Sequence, residues 1–367
     1  MKRIRRPYKY KRFQRKRSRA ELVERRHRRL WLSSKRRSQL GLPRGDYKYL
    51  NPERRVPPKG YLPIVAPSVL SMVANPEETL SFIDKLARHY ESRKQVFVEL
   101  KKVARIEYDA IVVLLAAMVR FKAADIDFNG DLPDDRAARK ILMKSKFFES
   151  LYRDFAEQDR YEIGQENGIY THANRNVDPV LSSRIIERAS QTVWGERRRS
   201  QWVQRVFLEL MQNTNNHASL RRQGENHWWL SVNHRADENT VSFTFVDFGV
   251  GVFQSLDNKR AGSKWFEWRT ALWTVFRPTD NAEIFRLMLE GQFHRTVTGK
   301  YYRGKGLPGI REVMKRNGVS KLRIITNDVY ADVANDQYRL LAVPFSGTMV
   351  YWELDRTNKS SAELSDV

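Results

Sequence analysis

The sequence predicts an α/β protein of two folded blocks behind a basic arm. Three observations carry this. Strand-like and helix-like segments alternate from residue 62 onward, the pattern of helices layered on sheets. Apolar residues make up 41 % of the chain, with 18 Phe and 9 Trp, which fills real cores and excludes a fully disordered chain. A length of 367 residues corresponds to roughly two domains.

The arm comes first. The formal net charge is +24, and it is unevenly spread. Residues 1–44 hold 19 Lys and Arg against only two acids, Glu21 and Glu24. Buried unpaired cations cost several kcal/mol each, so this stretch stays solvated or lies on an acidic partner. Arg5, Arg6, Lys9, Lys11, Arg12, Arg15, Lys16 and Arg17 suit the phosphates of DNA or RNA, in salt-sensitive contacts. Tyr8, Tyr10, Phe13 and Trp31 are interleaved with them and can stack on bases. A solubilising tail and an anionic membrane surface are the alternatives. Gly41 to Lys59, with Pro43, Pro52, Pro57 and Pro58, reads as a linker, so arm and linker span 1–59.

Several classes are excluded. There is no cysteine, hence no disulfide, thiolate zinc site or cysteine nucleophile. The longest apolar run, Ala110 to Val119, is about half of the roughly 20 residues a membrane span needs. The first 30 residues hold no apolar signal-peptide core. A cytoplasmic protein without a membrane span is expected.

The first block, 60–152, opens with a strand over Leu62–Val65. Asn75-Pro76-Glu77-Glu78 starts a helix running to about Tyr90, with Asn as N-cap, Pro in the first turn and acids at the positive end. Gln95–Leu100 is a strand, Tyr108–Ala123 a strongly apolar helix, Ala124–Asn129 a strand and Asp134–Leu151 a last amphipathic helix. The stretch VFVELKKVARIEYDAIVVLLAAMVRFKAADIDFNGDL resembles the STAS-like, anti-sigma-factor-antagonist fold. That resemblance implies a protein-partner surface. The family's phosphorylatable Ser has no counterpart in Arg105–Ala110, which lacks Ser and Thr.

A connector over 153–174 leads to the second block, 175–357, followed by a disordered tail over 358–367. Within QWVQRVFLELMQNTNNHASL, Glu209, Asn213 and His217 are four residues apart and share a helix face. Asn213 can offer an amide oxygen to Mg²⁺, a hard ion. Glu209 can accept a proton from an attacking water. A solvated helix face is the alternative. A strand over Val241–Val246 runs into Asp247-Phe248-Gly249-Val250-Gly251. The carboxylate there can accept from an exocyclic amine, and the glycines permit close backbone approach. Arg303-Gly304-Lys305-Gly306-Leu307-Pro308-Gly309 precedes a helix over Ile310–Arg316, which aims backbone amides and positive charge at an anion. Gly299 to Lys305 has P-loop spacing, but Gly306 stands where the magnesium-binding hydroxyl belongs, so a P-loop is rejected. Strands follow at Lys321–Thr326, Tyr338–Val343 and, after Gly347-Thr348, Met349–Leu354.

Taken in order, E-x-x-x-N-x-x-x-H-A, D-x-G-x-G, G-x-G-L and G-T resemble the GHKL, or histidine-kinase-like, ATP-binding superfamily. The resemblance implies helices over a mixed sheet with ATP and Mg²⁺ between them. It implies Glu209 as general base and Asn213 as Mg²⁺ ligand. Asp247, Gly249, Gly251 and Thr348 would hold adenine, and Arg303, Gly304, Lys305, Gly306 and Leu307 the phosphates. Phe253 to Tyr302 would be the ATP lid; its Trp265, Trp268 and Trp273 suggest a partner surface or a covered pocket, with a local mini-core as the favoured alternative. Pro308 departs from the small residues usual in the phosphate loop.

The expected function is a Mg²⁺-dependent ATPase or nucleotide-driven switch with a nucleic-acid arm. The alternatives are an anti-sigma-type serine/threonine kinase and a nucleic-acid-binding structural protein with a degenerate ATP fold. A homodimer is a further expectation. By fold analogy alone, the pairing suggests a bacterial regulatory or mobile-element defence protein.

Overall fold

The structure, a computed structural model, describes residues 56–152, 168–172, 179–217, 228–249, 251–253, 279–291 and 306–358. The described residues are mixed α and β and belong to one compact unit within 52–367. The arm residues Arg5 to Arg17 lie outside them, as does the tail beyond Asn358.

The first block is a parallel layer. Strands β1 (Leu62–Val65), β3 (Val96–Glu99) and β5 (Phe128–Gly130) pair in the order β1-β3-β5. A two-residue parallel pair joins β2 (Val69–Leu70) to β4 (Arg105–Ile106). Helix α1 (Pro76–Glu91) begins with Pro76 in its first turn, where a missing N–H costs nothing. Asn75 occupies the N-cap position, but its amide donates to Val69 O and Glu78 Oε2 instead of capping the helix.

Helix α2 (Tyr108–Ala123) has the bounds its apolar run implies, and it is buried nearly all round. A helix apolar on every side needs cover on every side. Here α1 lies against one side and strands of the second block against another.

Two expectations in this block need correction. Ala124–Asn129 is strand only from Phe128, because Asp125 sits in the left-handed region (φ 55°) and the chain turns there. The single helix over Asp134–Leu151 is two, α3 (Arg136–Lys144) and α4 (Phe147–Tyr152). Lys146 is left-handed (φ 60°) between them, and Phe147 and Phe148 meet edge to face at 5.1 Å. Asp135 caps α3 by accepting from Ala138 N at 2.8 Å.

The second block is a five-stranded sheet in the order β6-β7-β8-β10-β9: β6 (Gly168–His172), β7 (Trp228–Arg235), β8 (Thr240–Asp247), β9 (Ser320–Asp332) and β10 (Gln337–Leu354). Every pairing is antiparallel, so the expected mixed sheet is corrected. The cause is local. β7–β8 and β9–β10 are hairpins closed by single 3₁₀ turns, with Asn239 and Asp336 left-handed at φ 52°. Strand β6 lies in the stretch expected as a connector.

Side-chain alternation divides the sheet. Trp228, Leu230, Phe243, Phe245, Ile324, Val350 and Trp352 face one core. Residues of helices α5 (Pro179–Trp194), α6 (Gln201–His217), α7 (Asn281–Leu289) and α8 (Gly306–Lys315) complete it. Phe207 meets Phe243 at 5.6 Å and Trp352 at 5.2 Å, pinning α6 to the sheet centre. The alternate residues Val246, Ile325 and Met349 are equally buried on the opposite face. There α2 packs against β7 and β8, and α1 against β10. Tyr330 donates to Val73 O at 3.4 Å, and Arg339 pairs with Glu77. Helices therefore cover both faces of the sheet, and the apolar helix of the first block is built into this core. Among the described residues, no helix is long and apolar enough to cross a membrane.

Candidate functional site: a polar row at the end of the sheet core

The antiparallel register aligns Trp228 with Asp247, Asp247 with Thr348, and Thr348 with Thr326 across β7, β8, β10 and β9. Opposed residues share a face, so this row lies on the side of α5 to α8. One row further in, Leu230, Phe245, Val350 and Ile324 are all buried and apolar. The sheet thus changes from apolar to polar at its end, where Asp247 is the last residue of β8.

Asp247 is half-buried, and among the described residues its carboxylate accepts one hydrogen bond, from Gly249 N at 2.9 Å. Burial raises its pKa to about 6, against the opposing pull of the Gly249 N–H. The buried indole of Trp228, stacked on Phe245 at 5.7 Å, is the apolar neighbour. An ionised carboxylate here has lone pairs left for a donor.

The backbone closes on this row at two glycines. Gly347 has φ +132°, and a Cβ there would collide with Asp247 O. Gly251 has φ +72°, and a Cβ there would collide with the Asn327 amide. Only glycine meets both demands.

Two residues that sequence reading missed hold this geometry. Phe345 pairs with Asn327, and Thr348 with Thr326, so Ser346 and Gly347 bulge from β10 with nothing opposite. The fully buried Thr326 hydroxyl donates to Gly347 O (3.1 Å), accepts from Val252 N (3.0 Å) and lies 3.3 Å from Thr348 Oγ1. Asn327 is left-handed (φ 49°), and its Oδ1 accepts from Phe253 N at 3.1 Å. The available signal was Thr-Asn-Asp ending an apolar strand run, an Asn suited to a left-handed kink. Phe248, next to Asp247, meets Phe345 at 5.5 Å, and the Arg120 guanidinium of α2 lies 5.8 Å from its ring.

The remaining expected residues lie on α6 and α8. Glu209 is half-buried, with Arg205 Nε 4.0 Å from its Oε1. The Arg205 guanidinium also lies 3.5 Å from the Cβ position of Gly309, in the first turns of α8, so α6 and α8 meet at this arginine. Asn213 follows Glu209 by one turn of α6, and its side chain lies outside the described residues. Gly306 and Leu307 open α8, four residues before the start expected at Ile310, which places Pro308 within its first turn. The side chain of Leu307 lies outside the described residues, as do Arg303, Gly304 and Lys305 entirely.

The expected lid over Phe253–Tyr302 is corrected in one part. Its residues 281–289 form α7, whose Ala282, Phe285 and Leu289 belong to the core. Trp265, Trp268 and Trp273 lie outside the described residues. Among the described residues, no three His, Asp or Glu side chains cluster as a metal cage. Comparison with known protein families, with curated proteins and with solved structures gives no match.

Proposed function

We propose that the second block binds ATP with Mg²⁺ in the GHKL manner and hydrolyses it or uses it as a switch. One observation carries this reading: Asp247 and Thr348 are directly paired in the polar row at the end of the sheet, and among the described residues the carboxylate accepts from Gly249 N alone. A carboxylate beside Trp228 and Phe245 favours a neutral, flat ring with an exocyclic N–H over an anion. The base therefore belongs at this row and the phosphates elsewhere.

The phosphate end is assigned to α8 and the Gly-Lys-Gly sequence before it. Helix N-termini favour anions, and Lys305 and Arg303 add charge. Glu209 would take a proton from water as its oxygen attacks the terminal phosphorus and the bond to the ADP oxygen breaks. Asn213 is the residue assigned to Mg²⁺. An ion that keeps waters and takes phosphate oxygens needs no all-protein cage. When bound, the ion would neutralise the charge that develops on the phosphates. The arm over 1–44 is assigned to DNA or RNA through phosphate contacts.

Calorimetry with ATP and magnesium tests the reading. The expected result is saturable binding that Asp247→Asn weakens about a hundredfold while the fold is kept. Folded wild-type protein without heat of binding overturns it.

A further inference from the structure

We infer that Thr326, which faces no ligand itself, fixes the polarity of the Thr348 hydroxyl and so sets which base edge the site accepts. The inference rests on the nucleotide reading of the Asp247–Thr348 pair and concerns the choice among purines.

A threonine hydroxyl has one proton and two lone pairs. Around Thr326 Oγ1 stand Gly347 O at 3.1 Å, Thr348 Oγ1 at 3.3 Å and Asn327 Oδ1 at 3.5 Å, with Val252 N donating to it at 3.0 Å. The nearest acceptor is the Gly347 carbonyl, which takes the proton. A proton sent to Asn327 Oδ1 would leave the same result. In either case the contact with Thr348 is a hydrogen bond only if Thr348 donates. Thr326 is fully buried. Thr348 is half-buried and aligned with Asp247. With its proton turned toward Thr326, it offers lone pairs to whatever lies against the row.

The row then presents two acceptors side by side, the Asp247 carboxylate and the Thr348 oxygen. The amino group of a 6-amino purine carries two N–H donors, one for each member of such a pair. A 6-oxo purine sets the two lone pairs of its oxygen against them instead, its own N1–H donor lying one ring position away, and leaves the polar groups opposed, a mismatch that a desolvated site punishes strongly. If the Thr326 hydroxyl is removed, Thr348 is free to turn its proton outward and donate. The 6-oxo base is then no longer opposed at that atom.

Dissociation constants of ATP and of inosine triphosphate, each with magnesium, test this for the full chain. Wild type is expected to prefer ATP. Thr326→Val narrows the ratio about tenfold, in part by tighter binding of inosine triphosphate, and Thr326→Ser restores it. Mere loosening of the fold weakens both nucleotides and cannot tighten one. A folded Thr326→Val with the wild-type ratio overturns the inference. If Thr326→Val does not fold, Thr348→Val tests the same hydroxyl: loss of its acceptor narrows the ratio, and an unchanged ratio overturns the proposal. Wild type that binds neither nucleotide refutes the nucleotide reading itself, a separate result.

Discussion

Asp109 in the first block is a buried carboxyl and Asp247 in the second a half-buried one, and desolvation raises the pKa of each to about 6. Their surroundings differ in what the chain supplies. Asp109, in the first turn of α2, accepts from Ser71 Oγ at 3.0 Å, Met72 N at 3.2 Å and Val73 N at 3.2 Å. It ties the β2–α1 connection to the helix and has little acceptor capacity left. Asp247 accepts from Gly249 N alone among the described residues. A perturbed pKa marks both, and the hydrogen-bond inventory separates a staple from a site. The charged cluster on β10 falls on Asp109's side. Glu353 accepts from the Tyr351 hydroxyl and from Arg235 and Lys321 at 2.9 Å each, and the Tyr351 hydrogen bond together with the two cations holds its pKa below the usual value despite burial.

The largest expected effect breaks or keeps this comparison directly. Asp109→Ala leaves the buried Ser71 hydroxyl and Met72 N–H without their acceptor and should cost about 3 kcal/mol, read from the denaturant midpoint. Asp247→Asn should change stability by less than about 1 kcal/mol and lower ATP affinity about a hundredfold, near 2.7 kcal/mol. A stable Asp109→Ala variant, or a collapsed Asp247→Asn variant, would show that the two carboxylates have been assigned the wrong way round.

Next in size is turnover. Glu209→Gln should lower phosphate release about a hundredfold or more, with nucleotide affinity unchanged within about twofold. Unchanged release would remove Glu209 from the chemistry and leave a binding site only.

The pH dependence sharpens the contrast further. Both folded-state pKa values lie near 6, above the ordinary 3.8. The folded protein therefore binds protons between about pH 4 and 6 that the unfolded chain does not. Stability should rise as pH falls through this window and be lost as pH rises through 6. Nucleotide binding should run the other way, because it needs the ionised Asp247. Affinity should fall about tenfold from pH 7 to pH 5, and Asp247→Asn should flatten that slope. A flat wild-type profile would mean that the carboxylate does not meet the ligand.

The smallest effect concerns the join between the blocks. Arg339 is exposed and Glu77 half-buried, so solvent screens the pair and Arg339→Ala should cost less than about 1 kcal/mol by thermal or denaturant unfolding. A larger loss would mean that charge, and not the apolar surface of α2, holds the first block to the sheet.

Much of this was legible in the amino-acid order. The apolar run that makes α2 and the glycines near Asp247 are properties of short segments, and short-range sterics and burial decide them. What neighbouring residues did not reveal was pairing. The tryptophan-rich strand β7 was passed over because its flanks carry no tight-turn signature of the expected kind. Strands 338–343 and 349–354 read as separate because a bulge at Ser346–Gly347 resembles a break. Thr-Asn-Asp hints at a kink at Asn327 but not at what Thr326 and Asn327 hold, because their work is done 74 residues away, on Val252 and Phe253.

The sequence by itself determined the α/β character, the acid at the end of a strand and the concentration of charge in the first 44 residues. Those follow from composition and from local periodicity. The tertiary structure alone decided that α2 closes the back of the second sheet, that every strand pair there is antiparallel, and that Trp228, Asp247, Thr348 and Thr326 stand in one row. Register across strands depends on which apolar faces bury each other, and that sum is taken over the whole molecule.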